Sequence, residues 1–328
     1  MNAASGAPAL LDIRGLRVEM QSDAGSPVVL DNVSISVGPG EILGLVGESG
    51  AGKSVTGAAI IGLLDPPLSM TSGEIWFEGR RIDTMSPRDM RRLRGAGIGM
   101  VFQDPLSALN PVFTIGRQLI ETIREHTGMG RDAARNRAVD LLSEVGIPAA
   151  RERLRSYPHE FSGGMRQRVV VALALAGNPR LIIADEPTTA LDVSIQAQVI
   201  ALLARIARER NAGVILITHD MGVIAQAADR VAVMYAGRVV EVGPVAEVLR
   251  RPSHPYSQGL VASIPTIGAG HKSLPQIAGA MPRVGMLPQG CAFHPRCPKC
   301  MPVCALTPPE PRSLPGGVTI ACWAEAAR

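Results

Sequence analysis

Eight consecutive residues near the start of the chain have the composition and spacing of a phosphate-binding loop. Residues 47–54 read GESGAGKS, which fits the pattern G-x-x-x-x-G-K-[ST]. In such a loop, backbone N–H groups turn inward around the β- and γ-phosphates, a lysine adds a mobile positive charge, and a hydroxyl can bind Mg²⁺ at a helix N-terminus. The sequence therefore predicts that a nucleoside triphosphate and Mg²⁺ bind at Gly47, Glu48, Ser49, Gly50, Ala51, Gly52, Lys53 and Ser54, with Ser54 as the magnesium ligand.

The segments on either side of this loop predict the strand and the helix between which a phosphate-binding loop lies. Residues 41–46 (EILGLV) predict a buried strand that runs into the loop, and residues 55–64 predict an apolar helix after it. Residues 11–20 and 28–37 are typical of earlier strands separated by turn residues. A glycine-rich turn with only a structural purpose is the alternative, and the order of strand, loop and helix disfavours it. The loop alone does not distinguish GTPases, kinases and transport ATPases.

Two adjacent carboxylates follow a second apolar segment. Residues 181–184 (LIIA) predict a buried strand that ends at Asp185 and Glu186, and Pro187 stops it. Asp185 can hold Mg²⁺ through water, while Glu186 points elsewhere and can polarise a water for attack on the γ-phosphorus. Two acids at a solvated strand end are the alternative, and the phosphate loop upstream favours the catalytic interpretation.

A third motif offers a second site for an anion. Residues 161–168 (FSGGMRQR) lead into a predicted helix at 166–176. A Ser-Gly-Gly helix start presents bare N–H groups and the positive end of a helix dipole. One nucleotide has no use for two phosphate-binding helix ends in a single chain, whereas two chains arranged head to tail would use both. We therefore expect Ser162, Gly163 and Gly164 to contact an ATP that another chain holds.

The order of these motifs resembles one protein family. The motifs follow one another as in the ATP-binding cassette (ABC) ATPases, in the order phosphate loop, Gln103, Ser-Gly-Gly signature, Asp185-Glu186, residues 190–192 (ALD) and His219. The resemblance covers about residues 10–243. It implies an α/β fold: a P-loop ABC ATPase with an N-terminal antiparallel β subdomain, a RecA-like core with a parallel sheet, and an inserted helical subdomain.

Further details resemble one branch, the ATPases of dipeptide and oligopeptide importers. These details are residues 102–105 (FQDP), 107–111 (SALNP), FSGGM in place of the commoner LSGGQ, 254–256 (HPY) and 290–298 (GCAFHPRCP). The resemblance implies a subunit that hydrolyses ATP sandwiched between two cassettes, so that the membrane subunits of a dipeptide or oligopeptide importer alternate their opening. Importers of nickel or glutathione share most of these details and remain an alternative. An ABC protein acting on ribosomes or DNA is the alternative from another class.

Composition divides the chain at about residue 243. Of the 26 prolines, 14 lie between residues 244 and 315, and all five cysteines lie between 291 and 322. We therefore expect an ABC nucleotide-binding domain at residues 1–243, with its helical subdomain at about 104–165. Residues 244–328, called the tail below, are expected to form a small Cys/Pro-rich module, which the resemblance identifies as the type found in oligopeptide transporters.

The resemblance also assigns roles to single residues. Gln103 would contact Mg²⁺ and the attacking water, His219 would contact the γ-phosphate, and Asp192 would line the interface between two ATPase subunits. The alternative for Gln103 is an ordinary polar loop residue, and the alternative for His219 is a structural histidine. Met20 stands where the family usually has an aromatic residue that stacks on adenine. A thioether can contact a base but lacks a π system, so Met20 is equally well explained as part of the core.

The cysteines have the spacing Cys291-x₅-Cys297-x₂-Cys300-x₃-Cys304-x₁₇-Cys322. Unpaired structural thiols, a zinc site that could include His294, and an iron–sulfur cluster all suit this pattern in a reducing compartment. The resemblance favours the last, because some importer ATPases of this branch carry a [4Fe–4S] cluster at a pattern that matches Cys291, Cys297, Cys304 and Cys322. Cys300 would then be the extra thiol.

Composition excludes several other functions. The chain is 46% hydrophobic and 19% charged, and it contains no run of about 18 apolar residues that could cross a bilayer. Its net charge of +4 is small and dispersed, which argues against a nucleic-acid partner. The first 15 residues lack the features of a secretion signal. The resemblance to the importer ATPases implies a peripheral protein at the cytoplasmic face of the cell (inner) membrane. The same resemblance implies its partners: a paralogous ABC ATPase in a heterodimer, two permeases, and a periplasmic or lipid-anchored solute-binding protein.

Overall fold

Strands and helices alternate along most of the chain. The computed structural model describes residues 8–22, 25–189, 191–264 and 276–325. The strands are β1 (Leu11–Met20), β2 (Val28–Val37), β3 (Ile42–Val46), β4 (Leu68–Phe77), β5 (Arg80–Arg81), β6 (Ile98–Val101), β7 (Leu181–Asp185), β8 (Gly213–Thr218), β9 (Arg230–Tyr235), β10 (Arg238–Pro244), β11 (Arg312–Leu314) and β12 (Val318–Ile320).

The helices lie between these strands and in the tail. They are α1 (Lys53–Ile60), α2 (Pro87–Leu93), α3 (Pro105–Ala108), α4 (Ile115–Thr127), α5 (Arg131–Glu144), α6 (Ala150–Arg153), α7 (Gly163–Ala174), α8 (Val193–Arg210), α9 (Met221–Ala227), α10 (Val245–Arg250) and α11 (Pro255–Ala262). Short 3₁₀ segments lie at Pro158–Glu160, His294–Arg296, Pro302–Ala305 and Pro315–Gly317. No helix in the described part of the chain is long and apolar enough to cross a membrane.

The backbone divides into two compact units. The first unit comprises residues 1–38, 43–83 and 218–328, and the second comprises residues 39–42 and 84–217. The first unit therefore carries the phosphate loop together with the tail. The second carries the acidic strand end, the Ser-Gly-Gly signature and the helices between them.

An antiparallel sheet in the order β2-β1-β4-β5 forms one part of the first unit. In β1 the side chains of Leu11 and Ile13, and then Leu16 and Val18, are buried. The alternation therefore slips by one residue at Gly15, where φ is 57° and the pairing register shifts. Such an irregularity keeps the apolar face of a long strand on the core.

The rest of the first unit is built on β3. This strand pairs in parallel with β9, and β9, β10, β12 and β11 follow as antiparallel neighbours. All five residues of β3 are buried, which explains why its sequence is an unbroken apolar run. The phosphate loop begins directly where this strand ends.

The second unit contains the parallel strands β6, β7 and β8, with β7 in the centre. All five residues of β7 are buried, so Asp185 is presented at the end of a rigid strand. The described residues between 104 and 162 form helices α3 to α6, the first 3₁₀ segment and connecting turns. The antiparallel and parallel sheets together match the predicted α/β fold class.

Candidate active site

The glycines of the phosphate loop occupy positions where a side chain would not fit. Gly47 and Gly52 have φ angles of 154° and 101°. A Cβ atom at Gly47 would lie 2.3 Å from the carbonyl oxygen of Met234, and one at Gly52 would lie 2.5 Å from Cδ2 of Leu30. The loop therefore needs glycine here both for its backbone conformation and for its close approach to neighbouring elements.

The end of the loop leads into α1. No acidic residue occupies the first turn of this helix, and its N-cap, Gly52, provides no side-chain hydrogen bond. Lys53 is 5% exposed, and its Nζ donates hydrogen bonds to the carbonyl oxygens of Gly47 (2.8 Å) and Glu48 (3.1 Å). Ser54 is exposed at the first turn of α1. A cradle of glycines, a lysine and an uncapped helix start has the donor chemistry that a triphosphate requires.

The second unit brings two predicted catalytic residues together. The side-chain amide Nε2 of Gln103, just after β6, donates to Oε2 of Glu186 at 3.1 Å, although 83 residues separate them. The hydroxyl of Thr189 donates to the same oxygen at 3.0 Å. Asp185 precedes Glu186 and is only 7% exposed. The carboxylate of Glu186 is thus held in one orientation by two donors.

The backbone of Glu186 has an unusual conformation. Its φ angle is 43°, in the left-handed region that non-glycine residues rarely adopt. Its N–H donates to the carbonyl oxygen of Ile217 in β8 at 2.9 Å, which fixes this turn. Such strained residues cluster at functional sites, because the surrounding structure holds a side chain in a direction that a relaxed backbone would not give it.

Helix α7 begins three residues earlier than predicted. The helix spans Gly163–Ala174, not 166–176, because the hydroxyl of Ser162 accepts a hydrogen bond from the N–H of Met165 (3.3 Å) and caps it. Both signature glycines therefore lie in the first turn. A Cβ atom at Gly164 would lie 2.6 Å from Cγ2 of Ile195, so this glycine also permits the close approach of α8. Ser162 itself is exposed.

The remaining predicted residues lie at the ends of elements. His219 is exposed directly after β8, at the carboxyl end of that strand. Met20 is half-buried at the last position of β1, which leaves both of its interpretations open. Asp192 caps α8, and hydrogen bonds from the Ser194 hydroxyl and the Ile195 N–H hold the pKa of its carboxyl below the ordinary value. Ala190, which belongs to the predicted ALD motif, lies outside the described residues.

The tail is anchored in the first unit by its HPY motif. Nδ1 of His254 accepts a hydrogen bond from the N–H of Tyr256 (3.0 Å) and caps α11, with Pro255 at the first helical position. The buried carboxyl of Glu241 in β10 accepts hydrogen bonds from the N–H groups of Ser253 (2.8 Å) and His254 (3.0 Å). Burial raises the pKa of Glu241, and it lowers the pKa of His254 to about 3.

Acidification is expected to destabilise the protein through His254. The unfolded chain binds a proton below the ordinary pKa of 6.5 and the folded chain does not bind it until about pH 3, so stability falls as the pH falls through this window. Between pH 7 and pH 5 the free energy of unfolding should decrease by about 2 kcal/mol more in the wild type than in His254→Asn, measured by urea unfolding. Asparagine retains a capping acceptor. Glu241, whose raised pKa acts in the opposite direction, is present in both proteins and so does not affect the comparison. An equal pH dependence of the free energy of unfolding in the two proteins would contradict the lowered pKa of His254.

Two tail residues contact the phosphate loop, which sequence analysis did not predict. The hydroxyl of Tyr256 accepts a hydrogen bond from the N–H of Glu48 (2.9 Å), and Nη1 of Arg296 donates to both carboxylate oxygens of Glu48 at 3.1 Å. Both residues belong to motifs, HPY and FHPRC, that sequence analysis used only as marks of resemblance. Nothing in their spacing indicated a contact with a loop more than 200 residues away.

The four cysteines of the predicted cluster all lie in the tail and differ in burial from the fifth. Cys304 and Cys322 are buried, Cys291 and Cys297 are half-buried, and Cys300 is exposed. Burial and, to a smaller extent, the charges of the other three predicted ligands together raise the pKa of Cys291 to about 11. However, no group of three or more His, Cys, Asp or Glu side chains in the described ranges is arranged to hold a metal ion. The residue types suit a thiolate-bound metal, but the structure does not gather them into a site.

Comparison with known proteins identifies the class of this chain. The sequence profile described as "ABC transporter" matches residues 30–189, and the profile described as "Oligopeptide/dipeptide transporter, C-terminal region" matches residues 240–304. The dimeric ATP-binding cassette MJ0796, solved with ADP and Pi, is 27% identical, has a TM-score of 0.64, and is matched over 72% of this chain and 98% of its own. The cbiO1 protein of Clostridium perfringens is 28% identical, has a TM-score of 0.65, and is matched over 75% of this chain and 92% of its own. Fold and phosphate loop define an ATPase of the ATP-binding cassette class.

Full-length relatives narrow this class to one branch. The dipeptide transport ATP-binding protein DppD of Bacillus subtilis is 46% identical over 97% of this chain and 96% of its own length. A putative peptide import ATP-binding protein of Brucella melitensis is 49% identical over 92% of this chain and 93% of its own. The chain belongs to the family of ABC transporter ATP-binding proteins that carry the oligopeptide/dipeptide transporter C-terminal region. The resemblance inferred from the sequence is thereby confirmed.

Proposed function

We propose that this chain is the ATP-hydrolysing subunit of an importer for dipeptides or oligopeptides. The observation that carries the proposal is its similarity, over nearly the whole chain and including the tail, to relatives whose names specify dipeptide transport and peptide import. The phosphate loop and the paired Gln103 and Glu186 supply the chemistry that such a subunit needs. We retain the predicted division into a nucleotide-binding domain at 1–243 and a tail at 244–328.

Glu186 is the general base in this proposal. The amide of Gln103 and the hydroxyl of Thr189 both donate to Oε2, which orients the carboxylate that would accept a proton from water. His219 would contact the γ-phosphate as it does in the resembling family. The proton removed from water would reside on Glu186 while phosphate leaves.

Binding of ATP is assigned to other residues. The backbone of the phosphate loop, with Lys53 at its end, would hold the β- and γ-phosphates, and Met20 would contact the adenine. Ser54, Gln103 and Asp185 would hold Mg²⁺. When bound, Mg²⁺ would supply positive charge that offsets the charge developing on the phosphates.

The Ser-Gly-Gly signature supports the proposal that a second cassette is the partner of this chain. Ser162, Gly163 and Gly164 would cap the ATP held by a second cassette, which we propose to be a paralogous subunit. Two permeases and a periplasmic or lipid-anchored solute-binding protein would complete the importer. The subunit would then work at the cytoplasmic face of the inner membrane, and closure of the two cassettes would switch the opening of the permeases.

Transport by the assembled complex tests the proposed function. The chain is purified with its membrane subunits, reconstituted in proteoliposomes, and supplied with ATP and the solute-binding protein. ATP-dependent uptake of dipeptides or oligopeptides would support the proposal. Uptake of nickel or glutathione alone would select the neighbouring branch, and co-purification with ribosomes or DNA in place of permeases would overturn it.

Substitution of Ser162 tests the partnership. Ser162→Arg should depress ATP hydrolysis in the assembled complex by about tenfold or more, because the long cationic side chain obstructs the helix start. It should spare ATP binding at this chain's own phosphate loop. The isolated protein should hydrolyse ATP slowly or in a strongly concentration-dependent way.

A matched variant controls for the loss of a helix cap. Ser86 caps α2 by accepting a hydrogen bond from the N–H of Asp89 (3.2 Å), and it is also exposed in the second unit. Ser86→Arg therefore removes the same kind of cap without a role in ATP contact, and its hydrolysis should stay near that of the wild type. Fast, concentration-independent turnover by a proven monomer would refute the shared site.

We also propose that the tail binds a [4Fe–4S] cluster through Cys291, Cys297, Cys304 and Cys322. The electrostatic effect of Cys297, Cys304 and Cys322 on Cys291 supports this set of ligands, and the exposure of Cys300 favours leaving that thiol out. When bound, the cluster would cross-link distant parts of a segment with little regular structure. Zinc is the alternative metal.

The colour and iron content of the protein test the cluster. Anaerobically purified protein should be brown and contain about four irons per chain. Cys304→Ser should lose the cluster, because a buried thiol ligand is removed, and Cys300→Ser should retain it. Colourless protein with stoichiometric zinc would exclude iron, and the reverse behaviour of the two variants would exclude this choice of the fourth ligand.

A further inference from the structure

Glu48 of the phosphate loop is held from the tail by an arginine. The side chain of Arg296 is only 7% exposed, and its Nη1 lies 3.1 Å from both carboxylate oxygens of Glu48. Its Nε donates to the carbonyl oxygen of Ala278 (2.8 Å), and its Nη2 donates to that of Ile277 (3.3 Å). Tail carbonyl groups thus fix the guanidinium in place, and its remaining donor atom is directed at the loop.

A second contact fixes the backbone of the same loop residue. The N–H of Glu48 donates to the hydroxyl of Tyr256 at 2.9 Å, so this N–H is engaged by the tail and not by the loop. Tyr256 is fully buried, and its ring packs edge-on against Tyr235 with centroids 4.7 Å apart. The His254 cap fixes the helix start that carries it. Both the side chain and the backbone of Glu48 are therefore tied to buried, well-packed tail residues.

This arrangement acts on the residue next to Gly47, where the loop begins to turn. The carbonyl oxygens of Gly47 and Glu48 also accept the hydrogen bonds from Lys53, so the position of Glu48 influences that of the lysine. In addition, a carboxylate within a phosphate-binding loop opposes the binding of a polyanion, and a buried guanidinium beside it neutralises that charge. Loss of the tail contacts would both loosen the loop and release an unpaired negative charge into it.

We propose that Arg296 and Tyr256 are positioning residues for the phosphate loop, and that they make ATP affinity dependent on the tail. This inference rests on the proposed function, because it assumes that residues 47–54 bind ATP. The tail is then more than an appended module: its HPY and FHPRC motifs are the parts that hold Glu48. Arg296 also directly precedes Cys297 in the chain.

Equilibrium binding of MgATP to the full-length protein, by calorimetry, measures this effect. Arg296→Ala should raise the Kd about tenfold, the loss expected for charge-assisted hydrogen bonds, while kcat in the assembled complex stays within about twofold. Arg296→Lys should recover part of the affinity. Tyr256→Phe removes one hydrogen bond but keeps the ring packing, and it should raise the Kd by about threefold. Arg283→Ala, at an exposed arginine of the same tail, is the control and should leave the Kd unchanged.

A double-mutant cycle separates positioning from general damage to the tail. If Arg296 acts through Glu48, Arg296→Ala should weaken ATP binding much less in a Glu48→Ala background than in the wild type. An equal effect in both backgrounds would overturn the proposal, as would an unchanged Kd in Arg296→Ala and Tyr256→Phe. If Arg296→Ala does not fold, Arg296→Lys and Tyr256→Phe provide the same comparison. Lys53→Ala separates failure of the proposed function from failure of this inference. If Lys53→Ala binds ATP as tightly as the wild type, the proposed function fails. If Lys53→Ala weakens ATP binding but the tail variants bind ATP like the wild type, only the inference fails.

Discussion

Replacing Glu186 with glutamine is expected to slow ATP hydrolysis by about 10²-fold or more while ATP binding stays intact. Glutamine has nearly the same shape as glutamate and can keep the contacts with Gln103 and Thr189, but it cannot take a proton from water. The effect should therefore fall on kcat and not on Kd. Because bound ATP would persist, the variant should also favour the closed pair of cassettes, which light scattering detects as a dimer in the presence of ATP.

The control for this variant is an exposed glutamate of the second unit. Glu125 lies on α4, and Glu125→Gln makes the same chemical change away from the carboxyl ends of the strands. Its single-turnover rate should match that of the wild type. Hydrolysis by Glu186→Gln near the wild-type rate in the assembled complex would remove Glu186 from its role as the base.

Replacing Lys53 with alanine is expected to weaken ATP binding itself, by about 100-fold. The substitution removes the charge that the loop presents to the β- and γ-phosphates, and hydrogen bonds to charged groups contribute about 1.5–3 kcal/mol. It also removes the hydrogen bonds that tie Nζ to the carbonyl oxygens of Gly47 and Glu48, so the loop loses an internal constraint. Calorimetric titration with MgATP measures the change in Kd.

The Lys53 variant needs a control for the loss of one positive charge. Arg131 is exposed at the start of α5, and Arg131→Ala lowers the net charge equally without touching the loop. Its Kd for ATP should stay at the wild-type value. Unchanged affinity in Lys53→Ala would mean that residues 47–54 are not the phosphate-binding loop.

Features that depend on neighbouring residues could be predicted from the sequence. The bounds of β1 and β2 agree with the predicted strands, because alternating apolar residues and turn residues determine a strand locally. The phosphate loop is equally local, since its glycines, lysine and serine are adjacent in the chain. The start of α7 was misplaced because glycine is a poor helix former, and Ser162 provides the cap that overrides this preference.

Contacts between distant residues were decided by the tertiary structure. Gln103 and Glu186 are 83 residues apart, and the resemblance named both residues, but only the pairing of β6 with β7 places their side chains 3.1 Å apart. The left-handed backbone of Glu186 likewise depends on a hydrogen bond to β8. A sequence pattern reports which chemistry is present, whereas strand pairing determines which groups can meet.

The amino-acid sequence alone showed a phosphate loop, an acidic strand end, a Ser-Gly-Gly helix start and a cysteine-rich tail. Each is a short motif whose chemistry follows from adjacent side chains. Only the folded chain decided that the tail reaches the loop, because Arg296 and Glu48 are 248 residues apart. Their contact depends on the packing of Tyr235, Tyr256 and Phe293 against one another, with ring centroids 4.7–5.4 Å apart. Packing of this kind is a property of the whole core, and no local spacing encodes it.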